Sequence, residues 1–317
     1  MVIRRAPTLK KSAVWVKRDF IRDRPPVCLD CEVDSHGNLC NSSGAMPIDA
    51  EKFRTFEHAG WVNIPDEYHQ AFGSLTTQAV GALLDAARVK RGVKFLDIAS
   101  GPGYVATAAA KRGATVFGVD FSAAMVKQAR RLHPGIDFRE GDAEELPVGN
   151  GLFDAAAMNF GILHLGHPEK ALVEAHRVLR PGGRFAFSVW CNPTETVGFS
   201  IVLRAVELHG EPRVELPEGP PFFRFSDPEE CTRGLIAAGF ESPSVTKVSQ
   251  LWRLSAGDAL FNAMKDGTVR TAGLLRAQKP TVVNKIRDTV RAELEKYTKG
   301  EFVELPMPAL IASDIKP

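Results

Sequence analysis

The stretch FLDIASGPGYVATAAAKRG, residues 95–113, decides the fold. An apolar run passes through Asp97, a turn contains Gly101 and Gly103, and an alanine-rich segment of high helix propensity follows. Only glycine lets the backbone approach a ligand this closely. A buried strand, a glycine turn and a helix in this order are typical of a nucleotide-type site at the edge of a parallel sheet.

The residues around this stretch continue the same alternation. Short apolar runs alternate with helical patterns from residue 93 to residue 190, and we expect helices at 104–112, 122–132 and 168–179. This pattern predicts an α/β fold: a doubly wound, mostly parallel seven-stranded sheet of the Rossmann-like type, with helical cap insertions. The ligand of such a sheet binds beyond the carboxyl ends of its strands.

The flanking segments predict the domain organisation. Residues 1–50 are polar and interrupted by prolines, which predicts a poorly ordered arm, and residues 51–92 predict an N-terminal helical cap segment. Residues 93–317 are expected to form the main domain, with cap insertions at 191–226 and 257–299.

Two segments near the end of the chain predict further strands. PSVTKVSQLWRL, residues 243–254, alternates like a single strand. FVELPMPALIAS, residues 302–313, predicts an edge strand, because a sheet tolerates proline only at its edge.

Charge and composition disfavour several classes of protein. The 40 Lys and Arg nearly balance the 38 Asp and Glu, so no basic field indicates a nucleic-acid or membrane-surface partner. No apolar run is long enough to span a bilayer, and the first residues lack the pattern of a secretory signal. Five Cys in 317 residues indicate reduced thiols rather than a disulfide framework. We therefore expect a cytoplasmic protein that binds neither nucleic acid nor membranes.

A compact group of soft ligands lies in the predicted arm. Cys28, Cys31, His36 and Cys40 form the pattern C-x2-C-x4-H-x3-C, and such sets can bind zinc. No apolar residues flank the pattern to complete a small core, which favours incidental cysteines over a zinc site. The predicted functional site therefore contains no metal.

A carboxylate follows the second apolar run. Asp120 ends ATVFGVD, 17 residues beyond Gly103, a spacing suited to a group that accepts hydrogen bonds from ribose hydroxyls. The third glycine of a dinucleotide fingerprint is replaced by Ala106, which disfavours a ligand with a pyrophosphate. The residues therefore predict an adenosine site.

Five segments resemble the class I S-adenosylmethionine-dependent methyltransferases, in particular the ubiquinone/menaquinone-biosynthesis-like branch. They are DIASGPG at 97–103, VDFSAAMVKQA at 119–129, EGDAEELP at 140–147, FDAAAMNFGILHL at 153–165 and RVLRPGGRF at 177–185. The resemblance covers roughly residues 60–190 and implies that 93–317 is a methyltransferase domain. Ala99 stands where many members have a further glycine, and Ser100 where Cys or Gly is common.

The resemblance implies S-adenosyl-L-methionine as cofactor and a set of residues that bind it. Asp97 would pair with the ammonium group of the methionine portion, which would lie over the glycine turn, and Asp120 would hold the ribose hydroxyls. The apolar side chains of Phe121 and Met125 would pack on the adenine. The implied residues are Asp97, Ala99, Gly101, Gly103, Asp120, Phe121, Met125, Asp142, Ala143, Asn159 and Phe160.

The later residues of this set have separate implied roles. Asp142 would accept a hydrogen bond from the adenine amino group, and Ala143 would offer its backbone. Asn159 and Phe160, at the end of the fourth strand, would face the sulfonium and the acceptor. RVLRPGGRF is expected to be structural, with Pro181 ending a helix and Gly182 and Gly183 supplying positive φ.

His164 is the candidate catalytic residue, because it follows the fourth strand where family members present residues to the acceptor. A hydroxyl acceptor has to lose a proton as the methyl group arrives, so this histidine either acts as a base or shapes the pocket. The sequence favours a minor role, with a loss in kcat smaller than about tenfold in His164→Ala.

The function implied by the resemblance is methyl transfer to an oxygen, carbon or nitrogen atom of a small molecule. Phe222, Phe223, Phe225 and Trp252 in the later segments suggest an apolar or aromatic acceptor. One alternative is an NAD(P)-dependent oxidoreductase, disfavoured by Ala106 and by the lack of a Tyr-x-x-x-Lys pair in the right region. The other is a non-catalytic scaffold of the same fold that binds the cofactor.

Overall fold

The computed structural model describes residues 49–317. The predicted zinc pattern and almost all of the predicted arm lie outside this range. The arm was expected to reach residue 50, but Asp49 already accepts a hydrogen bond from the backbone of Lys52 as the N-cap of the first helix.

Within the described range the chain forms eleven α-helices and ten strands. The helices are α1 Ala50–Asn63, α2 Pro65–Thr76, α3 Val80–Ala86, α4 Tyr104–Lys111, α5 Ala123–Leu132, α6 Pro168–Val178, α7 Val197–His209, α8 Pro228–Ala237, α9 Ala259–Asp266, α10 Arg270–Arg276 and α11 Pro280–Leu294. The strands are β1 Lys94–Ile98, β2 Thr115–Asp120, β3 Asp137–Glu140, β4 Phe153–Asn159, β5 Leu179–Trp190, β6 Ser244–Val248, β7 Leu251–Ser255, β8 Thr298–Lys299, β9 Phe302–Pro306 and β10 Ala309–Ile315. Every helix of residues 49–317 is too short or too polar to cross a membrane.

The main sheet has seven strands in the order β3-β2-β1-β4-β5-β10-β6. The five strands from β3 to β5 pair in parallel, whereas β10 is antiparallel to both of its neighbours. This confirms the predicted doubly wound, mostly parallel seven-stranded sheet. The strand order reverses between β1 and β4, which is where a ligand of this fold is expected.

Burial on both faces explains why the central strands are almost wholly apolar. Leu96 and Ala156 pack into the core on one face of the sheet, and Phe95 and Ala155 pack into a second cluster with α3 and α4 on the other. For this reason, the strands of parallel sheets that are covered by helices on both sides have continuous apolar sequences. The small side chains of β4 let the layers approach closely.

The structure corrects two strand predictions. Residues 243–254 form two strands, because the chain leaves β6 in the main sheet and enters β7 in a separate sheet of order β7-β9-β8. Residues 302–313 also form two, β9 and β10, with Pro308 between them. The predicted edge strand was wrong: β10 lies between β5 and β6, and this is possible because proline precedes the paired residues.

The expected positive φ in RVLRPGGRF is found at Gly182 (φ 77°) but not at Gly183. Gly183 is needed for another reason: a Cβ there would lie 2.8 Å from the carbonyl oxygen of Arg180.

Candidate functional site

The turn between β1 and α4 runs in left-handed conformations. Ala99 (φ 53°), Gly101 (φ 50°) and Gly103 (φ 84°) all have positive φ. At Ala99 this conformation is strained, because it crowds the Cβ of any residue other than glycine. A Cβ on Gly101 would meet nothing within 4 Å, whereas one on Gly103 would lie 2.6 Å from the ring of Phe138. Gly101 therefore borders open space and Gly103 packs against β3.

Asp120, at the end of β2, is a buried carboxylate aligned by the turn. Its oxygens accept hydrogen bonds from the backbone N–H groups of Gly101 (2.8 Å) and Ser122 (3.0 Å). Burial raises the pKa of Asp120 to about 6, although these two N–H groups act in the opposite direction. The bonds hold the carboxylate in place at the cavity wall and leave lone pairs free for further donors.

Asp97 lies behind the turn rather than at the cavity wall. Its Oδ2 accepts a hydrogen bond from the N–H of Ala106 at 2.8 Å, while Oδ1 is buried without a partner among the described residues. Burial raises the pKa of Asp97 to about 8, and the charge of Asp120 adds to the rise. An unpaired buried carboxyl oxygen is costly, so a cationic ligand group or an ordered water is the expected partner.

The end of β4 is tied to β5 and to α2 by a polar chain. Ser188 donates to the side-chain oxygen of Asn159 (2.6 Å), and the Asn159 amide donates to the carbonyl of Thr76 (3.2 Å). Phe160 follows with φ 56° and stacks on Trp190 at a centroid distance of 4.0 Å. This places an amide and two stacked aromatic rings at the carboxyl end of the sheet.

Asp142 is already engaged in an ion pair. Arg54 of α1 donates to its Oδ2, and the N–H of Glu144 donates to Oδ1 at 2.8 Å. On the same side of the site, Phe121 contacts the ring of His58 edge to face. Helix α1 therefore covers the region where an adenine is expected.

One cavity joins these groups, with about 1020 Å³ of free space that is partly open to solvent. Ten of the twelve predicted site residues line it; Asp97 and Gly103 do not. Much of the remaining wall is aromatic and, apart from Trp190 at the end of β5, comes from three segments outside the strand ends. These further residues include Trp61, Tyr68, Phe72, Thr76, Trp190, Phe199, Phe222, Gly267, Thr268, Val269, Arg270 and Thr271. Of the four aromatic residues that suggested the acceptor, Phe222 lines the cavity, whereas Trp252 and Phe225 are buried in the core.

A buried acid behind the cavity wall was not predicted. Glu57 of α1 is fully buried and accepts hydrogen bonds from Trp61 Nε1 (3.0 Å) and Arg270 Nε (3.1 Å). Nδ1 of His164 lies 3.0 Å from the same carboxylate. Burial pushes the pKa of Glu57 up, but the charges and hydrogen bonds of His164 and Arg270 outweigh it and hold the pKa below its usual value. The spacing of Phe53, Glu57 and Trp61, one polar residue in an apolar helical stripe, is the signal that was available in the sequence.

The donors and acceptors present fit S-adenosylmethionine. The cavity combines a carboxylate able to accept ribose hydroxyls, a glycine whose Cβ would enter open space, and apolar Phe121 and Met125 beside them. The Asp120 carboxylate at the wall suits a cation and disfavours a pyrophosphate, because like charges repel.

This sheet and site are typical of class I S-adenosylmethionine-dependent methyltransferase domains, and the comparisons agree over part of the chain. Residues 96–187 match the family described as a methyltransferase domain. Demethylmenaquinone methyltransferase of Paenarthrobacter aurescens is 41% identical over 111 residues, 35% of this chain and 44% of that protein. An uncharacterized 37.1 kDa protein in a Streptomyces fradiae transposon is 32% identical over 213 residues, 63% of this chain and 58% of that protein. The match confirms the predicted methyltransferase domain over residues 96–187.

The chain spans about half the length of these curated relatives. Among solved structures, an N-methyltransferase of Haemonchus contortus in complex with phosphomonomethylethanolamine and S-adenosylhomocysteine superposes with a TM-score of 0.51. Its sequence identity is 19%, and the match covers 84% of this chain and 60% of that one. This likeness shows the fold alone.

Proposed function

We propose that this protein is an enzyme that transfers the methyl group of S-adenosylmethionine to a small aromatic acceptor. The observation that supports it best is the single cavity, in which the groups suited to the cofactor continue into an aromatic wall. The acceptor atom, oxygen, carbon or nitrogen, is left to experiment.

The proposed cofactor site uses the predicted residues in adjusted roles. Asp120 accepts the ribose hydroxyls, and Phe121 and Met125 pack on the adenine. Asp97 and Gly103 act from behind the turn: the Asp97 carboxyl, protonated in the free protein, ionises when the positive ligand binds and balances its charge, and the glycine gives the turn its shape. Both oxygen atoms of Asp142 already accept a hydrogen bond, one from Arg54 and one from the N–H of Glu144. The adenine amino group would donate to one of these same oxygen atoms.

The proposed acceptor site is formed by the predicted caps. Residues 51–92 contribute Trp61 and Phe72, residues 191–226 contribute Phe199 and Phe222, and residues 257–299 contribute Arg270 and its neighbours. Because relatives are named demethylmenaquinone methyltransferases, a reduced quinone ring is the first acceptor class to test. Flat aromatic walls suit such a ring.

The chain's own contribution to catalysis is alignment and exclusion of water. When bound, the cofactor supplies an electrophilic methyl group on a sulfonium. Residues of the aromatic wall hold the acceptor's nucleophilic atom in line with it, and good alignment lowers a barrier by up to roughly 7 to 11 kcal/mol. Asn159, held by Ser188 and Thr76, orients its amide at the junction of the two halves.

Calorimetric titration separates this proposal from its two alternatives. We expect S-adenosylhomocysteine to bind with a Kd in the micromolar range or below, and NADH not to bind. Asp120→Ala is the control that weakens S-adenosylhomocysteine binding. Incubation with S-adenosylmethionine and reduced naphthoquinones, followed by mass spectrometry, should then show a product heavier by one methylene. Tight NADH binding would favour the oxidoreductase, and binding without turnover across a broad acceptor panel would favour the scaffold.

A further inference from the structure

The Glu57 carboxylate fixes the protonation of its neighbour. Arg270 keeps its charge in proteins, and it donates to Glu57 from within the cavity wall while also donating to the carbonyls of Pro220 and Leu163. Arg270 donates to one oxygen of Glu57, and the indole N–H of Trp61 donates to the other. The carboxylate is therefore ionised, and its oxygens can only accept hydrogen bonds. Nδ1 of His164, 3.0 Å away, therefore carries a hydrogen and donates it to Glu57.

The other nitrogen of His164 is left for a ligand. In a neutral imidazole with hydrogen on Nδ1, Nε2 has a lone pair and accepts a proton. Among residues 49–317 no group hydrogen-bonds to this Nε2, and the His164 ring lines the cavity between Trp61 and Phe222, at centroid distances of 4.8 and 6.0 Å. The ring is thus held by aromatic contacts and by one hydrogen bond.

We propose that Glu57 is a positioning residue that presents Nε2 of His164 as the base for an aromatic hydroxyl acceptor. This inference rests on the proposed methyltransferase function and narrows its acceptor to a phenol, naphthol or reduced quinone that enters un-ionised. It replaces the minor role that the sequence favoured for His164, because the sequence did not show that a buried acid lies behind the ring.

The charges around His164 favour this proton transfer. Glu57 of α1 and Arg270 of α10 balance each other, and Asp120 at the end of β2 is the further anion whose field reaches the ring. A proton gained by His164 is therefore attracted by two carboxylates and opposed by one guanidinium.

The proposed step balances as follows. The O–H bond of the acceptor breaks, its electron pair stays on oxygen, and the proton binds Nε2 of His164. The resulting phenolate attacks through oxygen, or through the ring carbon that shares its charge. After attack through carbon, the methylated carbon loses its hydrogen to solvent as a proton, its electron pair restores the aromatic ring, and the ring oxygen regains a proton. The chemistry supplied by the bound cofactor is a carbon–sulfur bond that breaks as the new bond to the methyl carbon forms, with its electron pair remaining on sulfur. His164 then returns the proton to solvent through its exposed edge.

The deciding experiment reads the tautomer of His164 in the free protein. Nitrogen-15 NMR on histidine-labelled protein at pH 8.5, with His164→Gln to assign the signal, should show hydrogen on Nδ1 and a lone pair on Nε2. Glu57→Gln should move the hydrogen toward Nε2, and Phe222→Leu, which alters a ring contact of His164 but no donor to Glu57, should not. A wild-type ring with hydrogen on Nε2, or one still doubly protonated at pH 8.5, overturns the proposal.

Activity gives a second reading, with two naphthols as probes: 1-naphthol and a nitro-substituted naphthol that is already ionised at pH 8. His164→Gln should lower kcat about a hundredfold or more for 1-naphthol and less than about tenfold for the ionised naphthol, with S-adenosylhomocysteine affinity unchanged. Equal losses for both naphthols overturn the base. Failure of wild-type protein to bind S-adenosylhomocysteine would instead refute the proposed function, while the tautomer would still decide the Glu57 arrangement.

Discussion

Replacing Asp97 with asparagine should make the protein more stable, and increasingly so as the pH rises. The wild-type carboxyl is almost fully buried, with one oxygen unpaired among the described residues. Asparagine has nearly the same shape, keeps an oxygen for the N–H of Ala106, and never ionises. The difference between the two proteins therefore isolates the cost of charging this one group.

The sign and size follow from the raised pKa. Burial raises the pKa of Asp97 in the folded protein to about 8, compared with 3.8 for an aspartate carboxyl in water. Between these values the folded state binds a proton that the unfolded state has lost, so wild-type stability falls with pH by up to about 1.4 kcal/mol per unit. The advantage of Asp97→Asn should be small at pH 4, grow through pH 5 to 8, and level off above pH 8. The two pKa values differ by roughly four units, so the stability advantage of Asp97→Asn reaches at most about 6 kcal/mol.

Urea unfolding followed by circular dichroism at pH 5, 6, 7, 8 and 9 measures this difference. Ser100→Ala in the same turn is the matched control, since its buried hydroxyl also lacks a partner among the described residues but does not titrate. Its stability difference from wild type should be the same at every pH. A flat difference for Asp97→Asn between pH 5 and pH 9 would refute the claim that burial keeps this carboxyl protonated.

Further predictions concern the turn and its neighbours. Asp120→Ala should raise the Kd of S-adenosylhomocysteine by about a hundredfold or more, because two hydrogen bonds to a charged group contribute roughly 1.5 to 3 kcal/mol each; unchanged affinity in calorimetry would remove Asp120 from the ribose. Gly101→Val and Gly103→Ala should each cost about 1 to 3 kcal/mol of stability, because both glycines have positive φ and the Cβ of Gly103 would also meet Phe138. Only Gly101→Val, whose side chain would enter the cavity, should also weaken this binding, whereas Gly103→Ala should leave affinity within about threefold. Gly161→Ala should destabilise by about 1 to 3 kcal/mol, because its Cβ would lie 2.6 Å from that of Ala99. Ala99→Gly in the same chain should restore part of the loss; thermal unfolding that shows no recovery would contradict the contact.

The parallel half of the sheet was predictable because its signals are local. Strands β1, β2 and β4 and the second half of β5 are short, mostly apolar and largely buried runs, and turns or helical patterns separate them. The turn at Ala99 to Gly103 was visible for the same reason, since small residues are needed where φ is positive.

The rest depends on contacts that local patterns do not encode. A strand prediction says nothing about its partners, so the split of residues 302–313 into β9 and β10 required knowledge of two different sheets. Glu57 looked like an ordinary charge on a helix, because its partners His164 and Arg270 lie 107 and 213 positions later. The ion pair between Arg54 and Asp142 was hidden in the same way by a separation of 88 positions.

The central place of β10 has a consequence for how the protein folds. Strand β6 joins the main sheet only through β10. β10 in turn pairs with β5, although residues 191–308 separate these two strands in the sequence. Until β10 docks, β5 has an open edge and β6 has no partner in the sheet, and open edges favour pairing between molecules. Because contacts so distant in sequence close slowly, the insertion of β10 is the step at which folding and aggregation compete. Chaperone dependence and the yield of refolding at rising protein concentration should follow substitutions in β10 more closely than those in β1.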